Sequence, residues 1–186
     1  MRSLRLVLGV VLAGGFLIIQ SCRKDNDPAS SCTKEVAESK LSIPEERLAI
    51  DIGLIEQYLA DHEITGTEIK NNVYYKVTEL GTGETPPCLE SLIKLKYRGS
   101  LLKTGYIFDP DQETNPETNW QEREVTFALS NLIVGWQIVL PSMPMGSKLT
   151  LYIPSGYGYG VSGGGGGAIP VNAPLIFDIE LVEIVQ

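Results

Sequence analysis

The chain opens on an apolar run and closes on alternating ones. Leu6 to Ile19 is 14 residues without a charge, set behind Arg2 and Arg5. A bilayer-spanning helix needs about 20 such residues, and the hydrophobic region of an export signal roughly 7–15. The run therefore predicts a signal peptide. From Pro44 to His62 the spacing becomes helical. Leu48, Ile52, Ile55 and Leu59 fall on one face, and Ile50, Leu54 and Tyr58 widen it. Ser42 can cap this helix, Pro44 suits its first turn, and Glu45 and Glu46 suit the positive end of its dipole. So broad an apolar surface must pack on something. Docking on the following domain and pairing with a second copy are both open. Docking is the expectation, because a helix this short makes a poor coiled coil. His62 falls at the C-terminal end, where a cation is favourable.

Beyond this helix the period shortens to two. Val73 to Leu80, Leu92 to Tyr97, Val125 to Leu129, Lys148 to Ile153 and Leu175 to Val185 predict strands. Lys94, Lys96 and Arg98 face away from Leu95 and Tyr97, and Gly99 is expected to close that strand. Leu132 to Leu140 is an apolar block around Gly135 and Trp136 that predicts one or two helical turns stopped at Pro141. Several strands and one short central helix predict an α+β fold, an antiparallel sheet wrapped on a helix and preceded by the N-terminal helix. The expected organisation is a signal peptide at 1–21, a polar tether at 22–42, a helical extension at 43–66 and the main domain at 67–186.

Charge and composition narrow the function. The net charge of −8 argues against nucleic-acid binding, which needs a basic surface. The chain has one histidine, so a serine triad or a histidine-rich metal site must use His62 or not exist. Gly158 to Gly163 spells G-x-G-x-x-G, but the glycine run to Gly167 and then Pro170 cannot start the helix a dinucleotide site requires. That run reads as a flexible loop. Asp109, Asp111, Glu113 and Asn115 alternate like calcium ligands. Thr114 stands where the sharp-turn glycine belongs and Trp120 where the bidentate glutamate belongs, so a solvated acidic loop is the better reading. No metal and no cofactor is expected.

The segment Ile19-Gln20-Ser21-Cys22 resembles a bacterial lipoprotein signal, with Gln20 a departure at the position before Ser21. The resemblance implies lipidation of Cys22 and a membrane anchor built from its acyl chains. It places the protein in the cell envelope, on the periplasmic or surface side of an outer membrane. Cys32 and Cys88 are then a spare pair in an oxidising compartment, either bridged or free.

The strand-rich half carries punctuated aromatics: Tyr97-Arg98-Gly99, Phe108-Asp109, Ile133-Val134-Gly135-Trp136, Tyr157-Gly158-Tyr159-Gly160, Ile169-Pro170 and Phe177-Asp178. In this order they resemble the FKBP-type peptidyl-prolyl cis-trans isomerases, over roughly residues 88–186. The helix at 44–62 resembles the leader of lipoprotein members of that family in Bacteroidota. The family fold would be a twisted antiparallel sheet curled around one short helix. The resemblance implies a pocket for proline lined by Tyr97, Phe108, Trp136 and Phe177, with Phe127, Leu132 and Ile133 completing its wall. The Ile133 N–H would hold a substrate carbonyl, Tyr159 would place its hydroxyl near the rotating bond, Asp109 would orient its neighbours, and Ile169 would close the rim. Val125, Ala168, the Gly163 to Gly167 run and the longer segment from Pro110 to Glu124 depart from the family pattern. The implied activity is isomerisation of Xaa-Pro bonds in exported polypeptides, with macrolide inhibitors as implied ligands. The alternative is a proline-peptide-binding chaperone module with little or no turnover.

Overall fold

The structure, a computed structural model, describes residues 32–83, 85–110 and 119–185. The signal run, Cys22, the first part of the tether and the acidic positions Asp111, Glu113 and Asn115 lie outside the described residues. Helix α1 spans Glu45–Asp61 and α2 spans Val134–Val139. The strands are β1 Glu68–Lys70, β2 Val73–Glu79, β3 Leu92–Leu101, β4 Ile107–Asp109, β5 Val125–Ala128, β6 Lys148–Ile153 and β7 Leu175–Val185. They form a 7-stranded sheet in the order β1-β2-β6-β7-β3-β4, with β5 also pairing β3. All neighbours are antiparallel.

The period-two pattern sorts side chains between two cores. Val73, Tyr75, Leu151, Ile153, Leu175 and Phe177 face α2 and its residues Trp136, Ile138 and Val139. Tyr74, Tyr152 and Ile176, the residues between them, face Ile55 and Leu59 of α1. Where both faces are covered, consecutive residues are buried. Helix α2 lies so close to β6 that a Cβ on Gly135 would come 2.5 Å from Ile153 Cγ2. Helix α1 thus docks on the sheet of its own chain, although Ile50 and Leu54 stay exposed.

Four expectations need adjustment. Pro44, not Ser42, stands at the N-cap of α1, and no side chain caps it. Gly99 does not close β3, which runs on to Leu101 through an irregularity in its pairing with β4. The described part of the tether is held on the domain: Val36 is buried in the α2-side core, Cys32 is bonded to Cys88, and Leu89 N–H donates to Thr33 O at 2.7 Å. The glycine run forms a turn rather than an open loop. Gly164 and Ile169 bond to each other in both directions, at 3.0 and 3.1 Å, while Gly165, Gly166 and Gly167 take positive φ that other residues resist.

Candidate functional site

The inward face of β3 carries Leu95, Tyr97, Gly99 and Leu101 in alternation. Pairing with β7 sets Phe177 opposite Gly99, and pairing with β4 sets Asp109 opposite the same glycine. Glycine is needed there: a Cβ would meet Phe108 Cε2 at 2.6 Å and Phe177 Cε1 at 2.7 Å. Its missing side chain lets three elements bring their rings together. Trp136 enters from α2 and stands edge-on to Tyr97, 5.3 Å away, and to Phe177, 5.1 Å away. Phe108 meets Phe177 edge-on at 5.7 Å. Perpendicular rings match positive edges to negative faces and hold one another in place.

These rings wall a cavity of about 250 Å³. Tyr97, Phe127, Leu132, Ile133, Trp136 and Phe177 supply its apolar lining, and Asp109, Asn131 and Tyr159 its polar one. Eight of the ten non-lipidated residues singled out in the sequence therefore meet at one site. Phe108 and Ile169 stand outside the wall. Phe108 backs Phe177, and Ile169 is buried in the core where the Gly164 turn closes. Cys22 lies outside the described residues. Among those residues, no group of three or more metal-ligating side chains is gathered.

The polar edge is a short network. The Tyr97 hydroxyl donates to Asp109 Oδ2. Arg123 donates to Asp109 Oδ1 at 3.2 Å, and its guanidinium lies 5.7 Å from the Tyr97 ring centroid. Burial, and then the bond to the Asp109 carboxylate, push the Tyr97 phenol well above its ordinary range. Burial, with a smaller contribution from the Asp109 charge, also raises Tyr159. Ile133 stands at the N-cap of α2, where no preceding turn can receive its N–H. That N–H makes no hydrogen bond among the described residues.

Three contributors were not singled out in the sequence. Asn131 lines the cavity, and Arg123 bonds to Asp109 at its edge. Nothing in local spacing announces either placement. Gln137 did leave a signal, as the one amide in the apolar block 132–140. It is 2% exposed, and its Nε2 donates to Ser130 O at 3.1 Å and Leu132 O at 2.6 Å, bracing the loop that carries Asn131 to Ile133. A larger hollow of about 780 Å³ lies between α1 and the loops at 101–105 and 170–174. Its wall carries Tyr58 and His62, stacked with ring centroids 3.9 Å apart, rather than the edge-on ring set that surrounds Trp136.

Comparison with known proteins gives this geometry a context. Residues 83–182 match the family described as FKBP-type peptidyl-prolyl cis-trans isomerase. The FKBP-type peptidyl-prolyl cis-trans isomerase FkpA of Aeromonas hydrophila is 35% identical over 133 residues, covering 69% of this chain and 45% of that protein. The macrophage infectivity potentiator of Trypanosoma cruzi is 36% identical over 104 residues, covering 56% of this chain and 48% of that protein. The chain thus spans about half the length of these relatives. A crystal structure of a peptidyl-prolyl cis-trans isomerase from Pseudomonas syringae pv. tomato superimposes with a TM-score of 0.58 at 28% identity, covering 78% of this chain and 98% of that one. FkpA from Escherichia coli gives a TM-score of 0.58 at 27% identity, covering 79% of this chain and 63% of that one.

Proposed function

The chain belongs to the FKBP-type peptidyl-prolyl cis-trans isomerase family, and we propose that it catalyses rotation about Xaa-Pro bonds in exported polypeptides. The observation that carries this reading is the ring-walled cavity of about 250 Å³ with Asp109 and Tyr159 at its edge. Rotation must break amide resonance, against a barrier of about 18–20 kcal/mol. The twisted amide is less dipolar than the planar one. An apolar cavity solvates the planar form poorly and so favours the twisted form, and each 1.36 kcal/mol gained is about tenfold in rate.

Each residue has a part in that reading. Trp136 is the floor under the proline ring, and Tyr97, Phe127 and Phe177 are the walls. The Ile133 N–H, without a partner among the described residues, donates to a substrate carbonyl, which fixes the chain on one side of the rotating bond. Tyr159 donates its hydroxyl to the carbonyl beside that bond. Asp109, held by Tyr97 and Arg123, keeps the polar edge in place. Macrolide inhibitors would occupy the same cavity.

The anchor is part of the same proposal. A lipidated Cys22 would hold the domain at an envelope membrane, as in lipoprotein members of the family in Bacteroidota, where newly exported chains pass. Mass spectrometry of the native N-terminus tests this, and an unmodified Cys22 refutes it.

Cis-to-trans exchange of a Phe-Pro peptide tests the activity. The chain should accelerate exchange, and Tyr159→Phe and Asp109→Ala should lower the acceleration. A rate equal to that in buffer overturns the isomerase reading. Peptide binding without acceleration would leave the chaperone alternative.

A further inference from the structure

Tyr159 lines the cavity yet is 38% exposed, so the core does not enclose it. Its ring lies against Gly164, where a Cβ would come 2.7 Å from Tyr159 Cδ1, and its backbone follows directly on a tight turn. Ser155 to Tyr157 forms one 3-10 turn, with Tyr157 N–H donating to Pro154 O at 2.9 Å and Gly158 N–H to Ser155 O at 3.0 Å. The N-terminal segment grips that turn from outside. Asp51 Oδ2 accepts the Ser155 N–H at 2.9 Å and the Ser155 hydroxyl at 2.5 Å. The Tyr157 hydroxyl donates to Leu41 O at 3.1 Å. Ile43 presses on Gly156, where a Cβ would meet Ile43 Cδ1 at 2.8 Å.

Asp51 is unexpected on the packed face of a helix. It and Ser155 are both 0% exposed, and Arg47 donates to the other carboxylate oxygen, Oδ1, at 2.6 Å. A carboxylate in such a place is unfavourable unless every oxygen is paired. Simple adhesion of α1 to the sheet is already served by Ile55 and Leu59. What Asp51 adds is direction. It does for this turn what an N-cap side chain does for a helix, but from another element. Charge-assisted bonds of this kind are shorter and stronger than neutral ones, and they fix orientation as well as distance. Ser155 precedes Tyr159 by four residues, with only Gly156, Tyr157 and Gly158 between.

We propose that Asp51 is a positioning residue for Tyr159, so that the N-terminal helix, outside the matched residues 83–182, sets the tyrosine at the edge of the cavity. Its catalytic consequence rests on the isomerase reading, whereas its geometric content does not.

The test is a double-variant cycle in the whole chain, read by exchange of the Phe-Pro peptide. Asp51→Ala should lower kcat/KM about as much as Tyr159→Phe does. The pair Asp51→Ala with Tyr159→Phe should fall no further than either alone, since both remove the same contribution. Ile55→Val, in the same helix interface, should lower the unfolding temperature without lowering kcat/KM. If Asp51→Ala does not fold, Ser155→Ala in the same cycle takes its place, because it deletes one bond and keeps the backbone one. Carbon-13 NMR of labelled tyrosine rings gives a readout that does not depend on turnover. The Tyr159 ring signals should shift in Ser155→Ala while those of Tyr75 stay put. Unmoved Tyr159 signals, or losses that multiply in the cycle, overturn the positioning role. An inactive wild-type chain with shifted Tyr159 signals overturns the isomerase reading alone.

Discussion

The Tyr97 hydroxyl donates to Asp109 Oδ2 and so ties the middle of β3 to the end of β4 at the mouth of the cavity. Arg123 holds the other carboxylate oxygen. Removing either end of the Tyr97 bond should have unequal effects. Tyr97→Phe leaves Asp109 paired with Arg123 and should lower kcat/KM modestly. Asp109→Ala strands the hydroxyl of a tyrosine that is only 8% exposed. An unpaired buried donor costs about 1–3 kcal/mol, so this variant should lose both stability and rate. Thermal unfolding beside the peptide exchange assay checks the order.

Gly99 leaves the space in which Phe108 and Phe177 meet. Gly99→Ala places a methyl group 2.6 Å and 2.7 Å from their rings, so both rings must shift out of their edge-on arrangement. Overpacking of this kind typically costs about 1–3 kcal/mol. The expected outcome is a folded protein with a lower unfolding temperature and a fall in kcat/KM. Wild-type turnover in Gly99→Ala would show that the rings are free to move.

How far the sequence foretold this site follows from the same residues. Strands β6 and β7 begin and end where the alternation does, because their long regular runs are buried against α2 on one face. Strand β4 has three residues, too few for a period. Gly99 read as a stop because glycine weakens strands, and its real function depends on two rings that are distant in sequence. The aromatic set was legible through its motif order. The partners of that set were not, since Arg123 and Asn131 meet it through contacts between segments that share no local spacing. The hold of residues 32–43 on the domain is hidden by their polar composition, in which Val36, Leu41 and Ile43 are scattered among charged and hydroxyl side chains and follow no period.

Alkaline pH should expose the tyrosines of the sheet. Tyr74, Tyr75 and Tyr152 are each pushed from 10.0 up to about 12, first by burial, and for Tyr74 and Tyr75 next by donation to Glu56 and Glu68. The folded chain therefore binds more protons than the unfolded chain between these values, and stability falls as pH rises through them. The unfolding temperature should hold from neutrality to about the ordinary tyrosine pKa near 10, then drop as pH approaches 12. Tyr75→Phe should soften that drop. A curve that is flat up to pH 12 would mean that these phenols ionise as freely folded as unfolded.

Gln137 offers the sharpest separation of binding from packing. Its Nε2 satisfies two carbonyls, Ser130 O and Leu132 O, and its Oε1 accepts from Lys40 Nζ at 3.2 Å. Gln137→Leu keeps the shape and removes all of these bonds. Two carbonyls then lose a buried donor, at about 1–3 kcal/mol for a fully unsatisfied group. The loop that lines the cavity with Asn131, Leu132 and Ile133 should loosen while the stacked rings stay. On the isomerase reading, KM should rise because the Ile133 N–H no longer waits in place for the substrate carbonyl. The floor made by Trp136 is unchanged, so kcat should fall less. Lys40→Met removes only the outer bond to Oε1 and should leave both constants near wild type. If Lys40→Met instead matches Gln137→Leu, the amide is held in place from the N-terminal segment, and the loop is braced only as long as that segment is docked.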